Sequence, residues 1–318
     1  MRWMLPDGRR LGAHLPLAAG MVKAADRAHE IGARALQIFS DNPTSWRRRA
    51  EPPKELTEFR TRLVRYDIAP VAIHAAYLVN LAGSDPDFFD RSVAMLAHEL
   101  RGAPTFGARY VNVHIGSHRG AGLDAGVRRL ADGVARTLDS VPAVPGGAML
   151  VLENASGSGF GLGADVAELA AIARAIGAAG VPRERIGFCL DTAHAWGAGI
   201  DLRSPAATDA FLADFDARIG LGRLVLVHLN DSRSELGSRL DRHEHLGAGE
   251  IGPAALAYVL EHPALRHATY ILETPGMDEG YDAINLARAV ALAEGRPLDP
   301  LPEGALDVRS SRARTAPP

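Results

Sequence analysis

The sequence has a single cysteine, Cys189, so it cannot form an internal disulfide bond. It also lacks any apolar run near the ~20 residues that cross a bilayer, and its first residues, MRWMLPDGRR, lack the apolar stretch of a secretory signal. These absences predict a soluble protein of a reducing cytoplasm with no membrane partner. In the apolar run RIGFCLD we expect Cys189 to be a small core residue rather than a nucleophile.

Strong net charge is missing as well. The formal net charge of -3 gives no bulk basicity, which argues against nucleic-acid binding through overall charge. Lysine is rare, with only Lys23 and Lys54, and nearly all positive charge is carried by arginine. Arginine suits bidentate phosphate contacts, although biased codon composition would give the same pattern.

Short β-branched and aliphatic runs alternate with amphipathic helical patterns along the chain. The eight candidate strands are RLGAHL, ARALQIF, IAPVAIH, ARYVNVHIG, AMLVLEN, RIGFCLDT, RLVLVHLND and ATYILET. Asp165 and Ser204 lie near predicted helix starts, and Gly180 and Gly220 lie where helices should end. Eightfold strand-helix alternation predicts an α/β fold, a (β/α)8 TIM barrel, with an open doubly wound sheet as the competing architecture.

This alternation occupies most of the 318 residues, so we expect one domain rather than two. We assign residues 1–300 to a single barrel domain. Residues 301–318 are polar and carry several prolines, and we expect them to form a disordered tail.

The predicted strands end on side chains that can bind metal. Their last residues are His14, Ser40, His74, His114, Glu153, Asp191, His228 and Glu273. In a parallel barrel all strands end at one face, where active sites are built. Six consecutive termini, from the third strand to the eighth, are metal-capable, and their carboxylates would repel one another without cations. The pattern therefore predicts a metal centre at this face.

The stretch DRHEH follows the seventh strand, between two glycine-marked turns. Its Asp241 and His243 are two residues apart, so in an extended loop both side chains point the same way and can chelate one ion. His194 follows the sixth strand at the same face, and we expect it to complete this group. We expect Glu244 to be solvated and His245 not to act as a ligand.

Nine candidate ligands result. They are His74, His114, Glu153, Asp191, His194, His228, Asp241, His243 and Glu273. Imidazole with carboxylate suits zinc, and nine ligands are too many for one tetrahedral ion. Three ions would each receive about three or four ligands if one carboxylate bridges. Four carboxylates and three divalent cations would leave a net charge of about +2, so a mildly acidic chain would present a cationic floor to a phosphodiester.

These residues, in this order, resemble the endonuclease IV family of apurinic/apyrimidinic (AP) endonucleases. The matching segments are LGAHLPLAAG, IHAAYLVNLAG, VNVHIGSH, LVLENASGSGFGLG, GFCLDTAHAWGAGID, LVHLNDSRSELGSRLDRHEHLGAGEIG and YILETPG. The resemblance runs from about Leu11 to Ala291. The LVHLND segment is the most specific, because it combines a strand-end ligand with the D-x-H chelate.

The resemblance implies how three zinc ions, with Mn²⁺ as a substitute at some positions, share the ligands. The first ion would take His74, His114 and Glu153; the second Asp191, His228, Glu273 and the bridging Glu153; the third His194, Asp241 and His243. Glu153 and Glu273 would be the catalytic residues of a multi-metal, in-line phosphodiester hydrolysis.

The implied enzyme is a monomeric DNA-repair hydrolase acting on double-stranded DNA. It would cut on the 5′ side of an abasic site, leaving a 3′-hydroxyl and a 5′-deoxyribose phosphate, and would remove blocked 3′ ends by the same chemistry.

DNA recognition is expected from the loops that follow the second and third strands. Tyr77 and Leu78 resemble residues that enter the minor groove beside the lesion, where an apolar wedge can hold a kinked duplex. Asn42 lies in the recognition loop SDNPTSWRRR. The sequence departs from the family at Thr44, where an arginine that fills the abasic gap is expected. Either one of the arginines at 47–49 compensates, or the lesion is held less firmly.

Two other functions compete with this one. A sugar isomerase or epimerase on a related metal-bearing barrel needs one or two ions and a base for proton transfer. It does not explain the group formed by His194, Asp241 and His243. A DNA-damage binder that has lost catalysis is the second alternative, and the complete ligand set argues against it.

Overall fold

The computed structural model describes residues 5–276 and 279–308, and ten strands lie in these ranges. They are β1 (Leu11–His14), β2 (Ala35–Ile38), β3 (Val71–His74), β4 (Ala108–His114), β5 (Met149–Glu153), β6 (Ile186–Asp191), β7 (Leu224–His228), β8 (Asp231–Ser232), β9 (His243–Glu244) and β10 (Thr269–Leu272). Eight of them close into a parallel barrel in the order β1-β10-β7-β6-β5-β4-β3-β2, and β8 pairs with β9 in a separate antiparallel hairpin. The predicted TIM barrel is therefore confirmed, and the open sheet is excluded.

The α-helices surround this barrel. Over the described residues they are α1 (Met21–Glu30), α2 (Leu56–Tyr66), α3 (Pro86–Gly102), α4 (Leu123–Asp139), α5 (Val166–Ala178), α6 (Thr192–Gly197), α7 (Pro205–Arg218), α8 (Pro253–Glu261) and α9 (Tyr281–Ala293). The predicted starts of α5 and α7 are confirmed, since the Asp165 and Ser204 side chains accept hydrogen bonds from backbone N–H groups of the first turns. Gly180 and Gly220, just past the ends of these helices, have φ angles of 83° and 96°.

The barrel strands are buried on both faces, which explains their nearly continuous apolar character. Cys189 on β6 is buried in this core, as expected. Burial raises the pKa of its thiol to about 11, so the thiol is protonated at neutral pH and is not a nucleophile.

The strand ends bring distant residues side by side. In the parallel register His114 of β4 pairs with Glu153 of β5, and Asp191 of β6 pairs with His228 of β7. Two predicted ends differ from the structure: β2 ends at Ile38 rather than at Ser40, and β10 ends at Leu272, directly before Glu273. Neither difference moves a predicted ligand away from the carboxyl-terminal face.

The predicted tail begins with a segment that contacts residues beside the β8–β9 hairpin. In the described part, 301–308, Ala305 is buried and its carbonyl accepts a hydrogen bond from His245 Nε2 at 3.1 Å. The carbonyl of Val308 accepts from Arg233 at 3.1 Å. Residues 309–318 lie outside the described residues, so disorder there stays a prediction. Among the described residues, none of the helices is long and apolar enough to cross a membrane.

Candidate metal centre

The predicted ligands meet at the carboxyl-terminal face of the barrel. Eight of them form three overlapping groups, in each of which the ligand atoms lie within 4.8 Å of one another. The groups are His74, His114 and Glu153; Glu153, Asp191, His228 and Glu273; and Asp191, His194 and His243. Glu153 joins the first two groups and Asp191 joins the last two, so the three form one continuous cluster.

The first group is built on neighbouring strands. His74 Nε2 lies 3.7 Å and His114 Nε2 3.6 Å from Glu153 Oε2. The Nδ1 of His74 donates to the carbonyl of Ala75 at 2.7 Å. Because a carbonyl only accepts, this bond places the proton on Nδ1 and leaves the Nε2 lone pair facing the cluster. Burial and the nearby His114 lower the pKa of His74 to about 3, so the ring is neutral.

Glu153 lies at the centre of the cluster and is fully buried. Its Oε1 is 3.5 Å from His228 Nδ1, and its Oε2 accepts a hydrogen bond from Asn112 Nδ2 at 2.5 Å. Burial alone would raise the pKa of Glu153, but His114 and His228 outweigh burial and hold it well below its usual range. The side chain is therefore an ionised carboxylate between two groups of imidazoles.

Asp241 completes the third group from the loop after β7. Its Oδ2 lies 3.3 Å from His194 Nε2 and its Oδ1 3.1 Å from His243 Nε2. The Nδ1 atoms of these two histidines donate to the carbonyls of Asn154 and Glu273, at 2.9 Å each. The D-x-H pair thus lies on the same face as the strand-end ligands, as the spacing predicted.

The protonation of this third group depends on its carboxylates. Burial alone would lower the pKa of His194 and His243, but Asp191 and Asp241 outweigh it. They raise the pKa of His194 well above its usual value and that of His243 to about 9. Without a cation, each ring holds a proton that a metal ion would have to replace.

The donor set fits metal ions. In the described part of the chain, several buried ligand atoms have no hydrogen-bond partner. They include His74 Nε2, Glu153 Oε1, His228 Nδ1, His243 Nε2 and Glu273 Oε2. Buried polar atoms are normally satisfied, and a cluster of unsatisfied imidazole and carboxylate atoms is a donor set that suits zinc.

The predicted DNA-contacting residues lie beside this cluster. Tyr77 follows β3 and is 40% exposed, whereas Leu78 is partly buried against the core. Asn42 is exposed, but its Oδ1 accepts hydrogen bonds from the backbone and hydroxyl of Thr44, at 3.0 and 2.9 Å. Asn42 therefore shapes its loop, which meets the Tyr77 loop where the N–H of Tyr77 donates to the carbonyl of Pro43 at 3.1 Å.

The structure distinguishes the three arginines that follow Thr44. Arg48 donates to the carbonyls of Asn42 and Ser45. Arg49 forms an ion pair with Asp41 at 3.3 Å. Arg47 is exposed, and its backbone N–H donates to the hydroxyl of Ser45.

Two residues of the DRHEH stretch have structural roles. Glu244 was expected to be solvated, and this prediction was wrong: it is buried, and Arg233 lies 3.3 Å away. His245 is no ligand, since its ring nitrogens bond Asn285 and the carbonyl of Ala305. Glu244 is paired with Asp231 in the β8–β9 hairpin, His245 directly follows β9, and both side chains are buried.

Sequence reasoning missed the residues that hold the ligands in place. Asn112 contacts Glu153, and Asn230 donates to Asp191 Oδ2 at 2.8 Å. Gln37 contacts two ligands, and Asp231 holds the loop that carries Asp241 and His243. Of these, Asp231 had a local signal, since it is an acidic residue just after the seventh strand in HLNDS.

Comparison with known proteins identifies a matching family and similar proteins. The chain matches, over residues 25–295, a family described as xylose isomerase-like TIM barrel. A probable endonuclease 4 of Methanoculleus marisnigri is 40% identical over 283 residues, which cover 89% of this chain and 98% of that protein. One of Halothermothrix orenii is 38% identical over 282 residues, covering 88% and 99%.

Solved structures that are similar to this chain include an endonuclease IV and a sugar epimerase-like protein. The crystal structure of endonuclease IV from Thermus thermophilus superimposes with a TM-score of 0.77 at 38% identity, covering 90% of this chain and 99% of that one. A D-tagatose 3-epimerase-like protein gives a TM-score of 0.63 at 18% identity, covering 90% and 98%. At that identity the likeness concerns the fold alone.

Proposed function

Because the chain belongs to the endonuclease IV family, we propose that it is a DNA-repair nuclease that hydrolyses the phosphodiester bond 5′ to abasic sites in duplex DNA. The expected products are 3′-hydroxyl and 5′-deoxyribose phosphate ends, and blocked 3′ ends are removed by the same hydrolysis. The observation that carries this proposal is the convergence of nine ligands, including Asp241 and His243, on one face.

The proposed cofactor is three divalent ions, zinc with Mn²⁺ as a substitute at some positions, held by the three groups. Bound there, they would supply Lewis acidity and an activated water for phosphodiester hydrolysis. Glu153 would be shared between two of the ions, since its Oε2 faces His74 and its Oε1 faces His228. Glu273 contributes its Oε2 beside His228 Nδ1, at 3.3 Å, and these two carboxylates are the proposed catalytic residues.

Electrostatics supports a DNA substrate despite the acidic composition. The four ligand carboxylates and three divalent ions would leave the floor of the site with a net charge of about +2. The exposed Tyr77 would enter the minor groove beside the lesion together with Leu78, and Asn42 shapes the adjoining loop. These three DNA-contact assignments are proposals.

Incision of a duplex that carries one abasic analogue tests the function directly. After reconstitution with zinc, the protein should cut once, 5′ to the analogue, and no incision would refute the proposal. Metal content distinguishes the nuclease from the isomerase alternative. About one ion per chain, with no loss of metal when His194 is replaced, would favour the isomerase. Tight binding of the abasic duplex without cleavage would favour a binder that has lost catalysis.

Replacing Arg47 by alanine should weaken binding of the abasic duplex several-fold and reduce the slope of log affinity against log salt by about 1. Arg47 is exposed and its side chain forms no hydrogen bond or ion pair in the described structure, whereas Arg48 and Arg49 are held by protein oxygens. Fluorescence anisotropy over a salt series measures both quantities. Arg65→Ala, an exposed arginine in the last turn of α2, is the matched control. Equal effects of both substitutions would show that Arg47 has no specific contact.

A further inference from the structure

Gln37 on β2 is completely buried and contacts two proposed ligands that belong to other strands. Its Nε2 donates to Glu273 Oε1 at 2.8 Å. Its Oε1 lies 3.1 Å from His228 Nε2. One carboxamide thus joins the end of β7 to the residue that follows β10.

The contact determines which nitrogen of His228 is available as a ligand. An amide oxygen only accepts, so the Nε2 of His228 must carry a proton to bond Gln37. The lone pair of the neutral ring is then on Nδ1, which has no hydrogen-bond partner among the described residues. This Nδ1 lies 3.3 Å from Glu273 Oε2 and 3.5 Å from Glu153 Oε1, so it faces the cluster.

The same carboxamide determines which oxygen of Glu273 is available. Oε1 is occupied by Gln37 and by His14, whose Nδ1 lies 3.0 Å away. Within the described residues, Oε2 has no hydrogen-bond partner. In both His228 and Glu273, the atom available to a metal ion is therefore the one that Gln37 does not contact.

The orientation of the Gln37 amide follows from the chemistry of its two neighbours. Its nitrogen lies 2.8 Å from Glu273 Oε1, and its oxygen lies 3.1 Å from His228 Nε2. A carboxylate that binds a cation is ionised and only accepts, so the amide nitrogen must face Glu273 and the amide oxygen must face His228. The reversed amide would set two acceptors against each other at Glu273.

We propose that Gln37 is a positioning residue of the metal centre, and that its single carboxamide selects Nδ1 of His228 and Oε2 of Glu273 as ligand atoms. The inference rests on the proposed function for the presence of metal ions. Partners that orient metal ligands typically contribute about 10- to 100-fold to metal affinity, which is the size of effect expected here.

The test substitutes Gln37→Leu, which keeps the approximate volume and removes both hydrogen bonds. We expect zinc affinity, measured by competition with a chelator, to fall by about 10- to 100-fold for one ion. The absorption spectrum of the cobalt-substituted protein should change as well. Ser92→Ala is the matched control, because Ser92 is a fully buried polar residue that bonds Asn80 and Phe88 but no ligand. It should lower the melting temperature without changing zinc affinity or the cobalt spectrum.

A folded Gln37→Leu protein with unchanged zinc affinity and an unchanged cobalt spectrum would overturn the proposal. An equal loss of melting temperature with and without zinc would mean that Gln37 serves the fold alone. Nitrogen-15 NMR of histidine rings in the zinc-loaded wild-type protein tests the idea even if the variant does not fold. His228 should carry its proton on Nε2, and a proton on Nδ1 would contradict the proposal. These measurements use no DNA, so a failed incision assay would refute the nuclease function and leave this inference standing.

Discussion

Glu153→Gln is expected to slow incision of an abasic-site duplex by at least ~10²-fold while leaving the fold and DNA binding largely intact. Glutamine has nearly the same shape, so the fully buried position stays filled. It removes one negative charge from the residue whose two oxygens face different ligand groups. The substitution should therefore weaken the proposed metal bridge and leave the binding surfaces elsewhere unchanged.

Single-turnover incision at saturating enzyme measures this effect, with anisotropy to show that the variant still binds the duplex. His267→Ala is the control, because His267 is exposed and bonds only the carbonyl of Leu221 in the described structure. It should be silent within error. Near-normal turnover of Glu153→Gln would contradict the role assigned to Glu153.

Asp231→Asn is expected to disorganise the loop that carries Asp241 and His243, and to lower incision by at least ~10²-fold. The Asp231 carboxylate is buried and accepts hydrogen bonds of 2.8 to 3.3 Å from five backbone N–H groups. The donors are the N–H groups of Ser232, Gly247, Gly249, Ile251 and Gly252.

These bonds tie the loop to the β8–β9 hairpin. Asp231 and Ser232 form β8, and Ser232 is the register partner of the candidate ligand His243 on β9. Gly249 is required for the close approach, since a Cβ there would lie 2.6 Å from Asp231 Oδ1. An asparagine would direct its own N–H₂ at backbone donors, and each donor left unsatisfied costs about 1–3 kcal/mol.

The measurable outcome for Asp231→Asn is a folded barrel that binds about one ion fewer per chain and cuts slowly. Circular dichroism, elemental analysis and the incision assay together report it. Asp209→Asn is the matched control, since Asp209 is an exposed carboxylate that bonds Tyr258 and His262 away from the ligands. Full metal content with normal incision in Asp231→Asn would show that the loop holds its shape without this carboxylate.

The barrel and the clustering of the candidate ligands were predictable from the sequence because both follow from short-range patterns. Eight apolar runs separated by helical patterns predict the closed sheet, and parallel strands must end at one face. His114 and Glu153 therefore had to be neighbours, as their register shows. The D-x-H spacing of Asp241 and His243 added a local chelate, which the structure places beside His194.

The environment of those ligands was not predictable in the same way. Glu244 reads as a solvated charge, yet pairing of β8 with β9 buries it beside Arg233. Gln37 lies in an ordinary apolar strand, and its contacts with His228 and Glu273 span 191 and 236 residues of sequence. No local sequence pattern indicates contacts between residues so far apart in the chain.

The sequence alone determined which residue types reach the carboxyl-terminal face, because strand periodicity and parallel connection depend on neighbouring residues. It thereby determined the barrel, the candidate ligands and the family resemblance. Only the tertiary structure decided which atom of each candidate ligand faces the cluster, which arginines of the recognition loop are held by protein oxygens, and which buried carboxylate holds the Asp241 loop. Those properties depend on hydrogen bonds between residues far apart in the chain, and such bonds exist only once the barrel has closed.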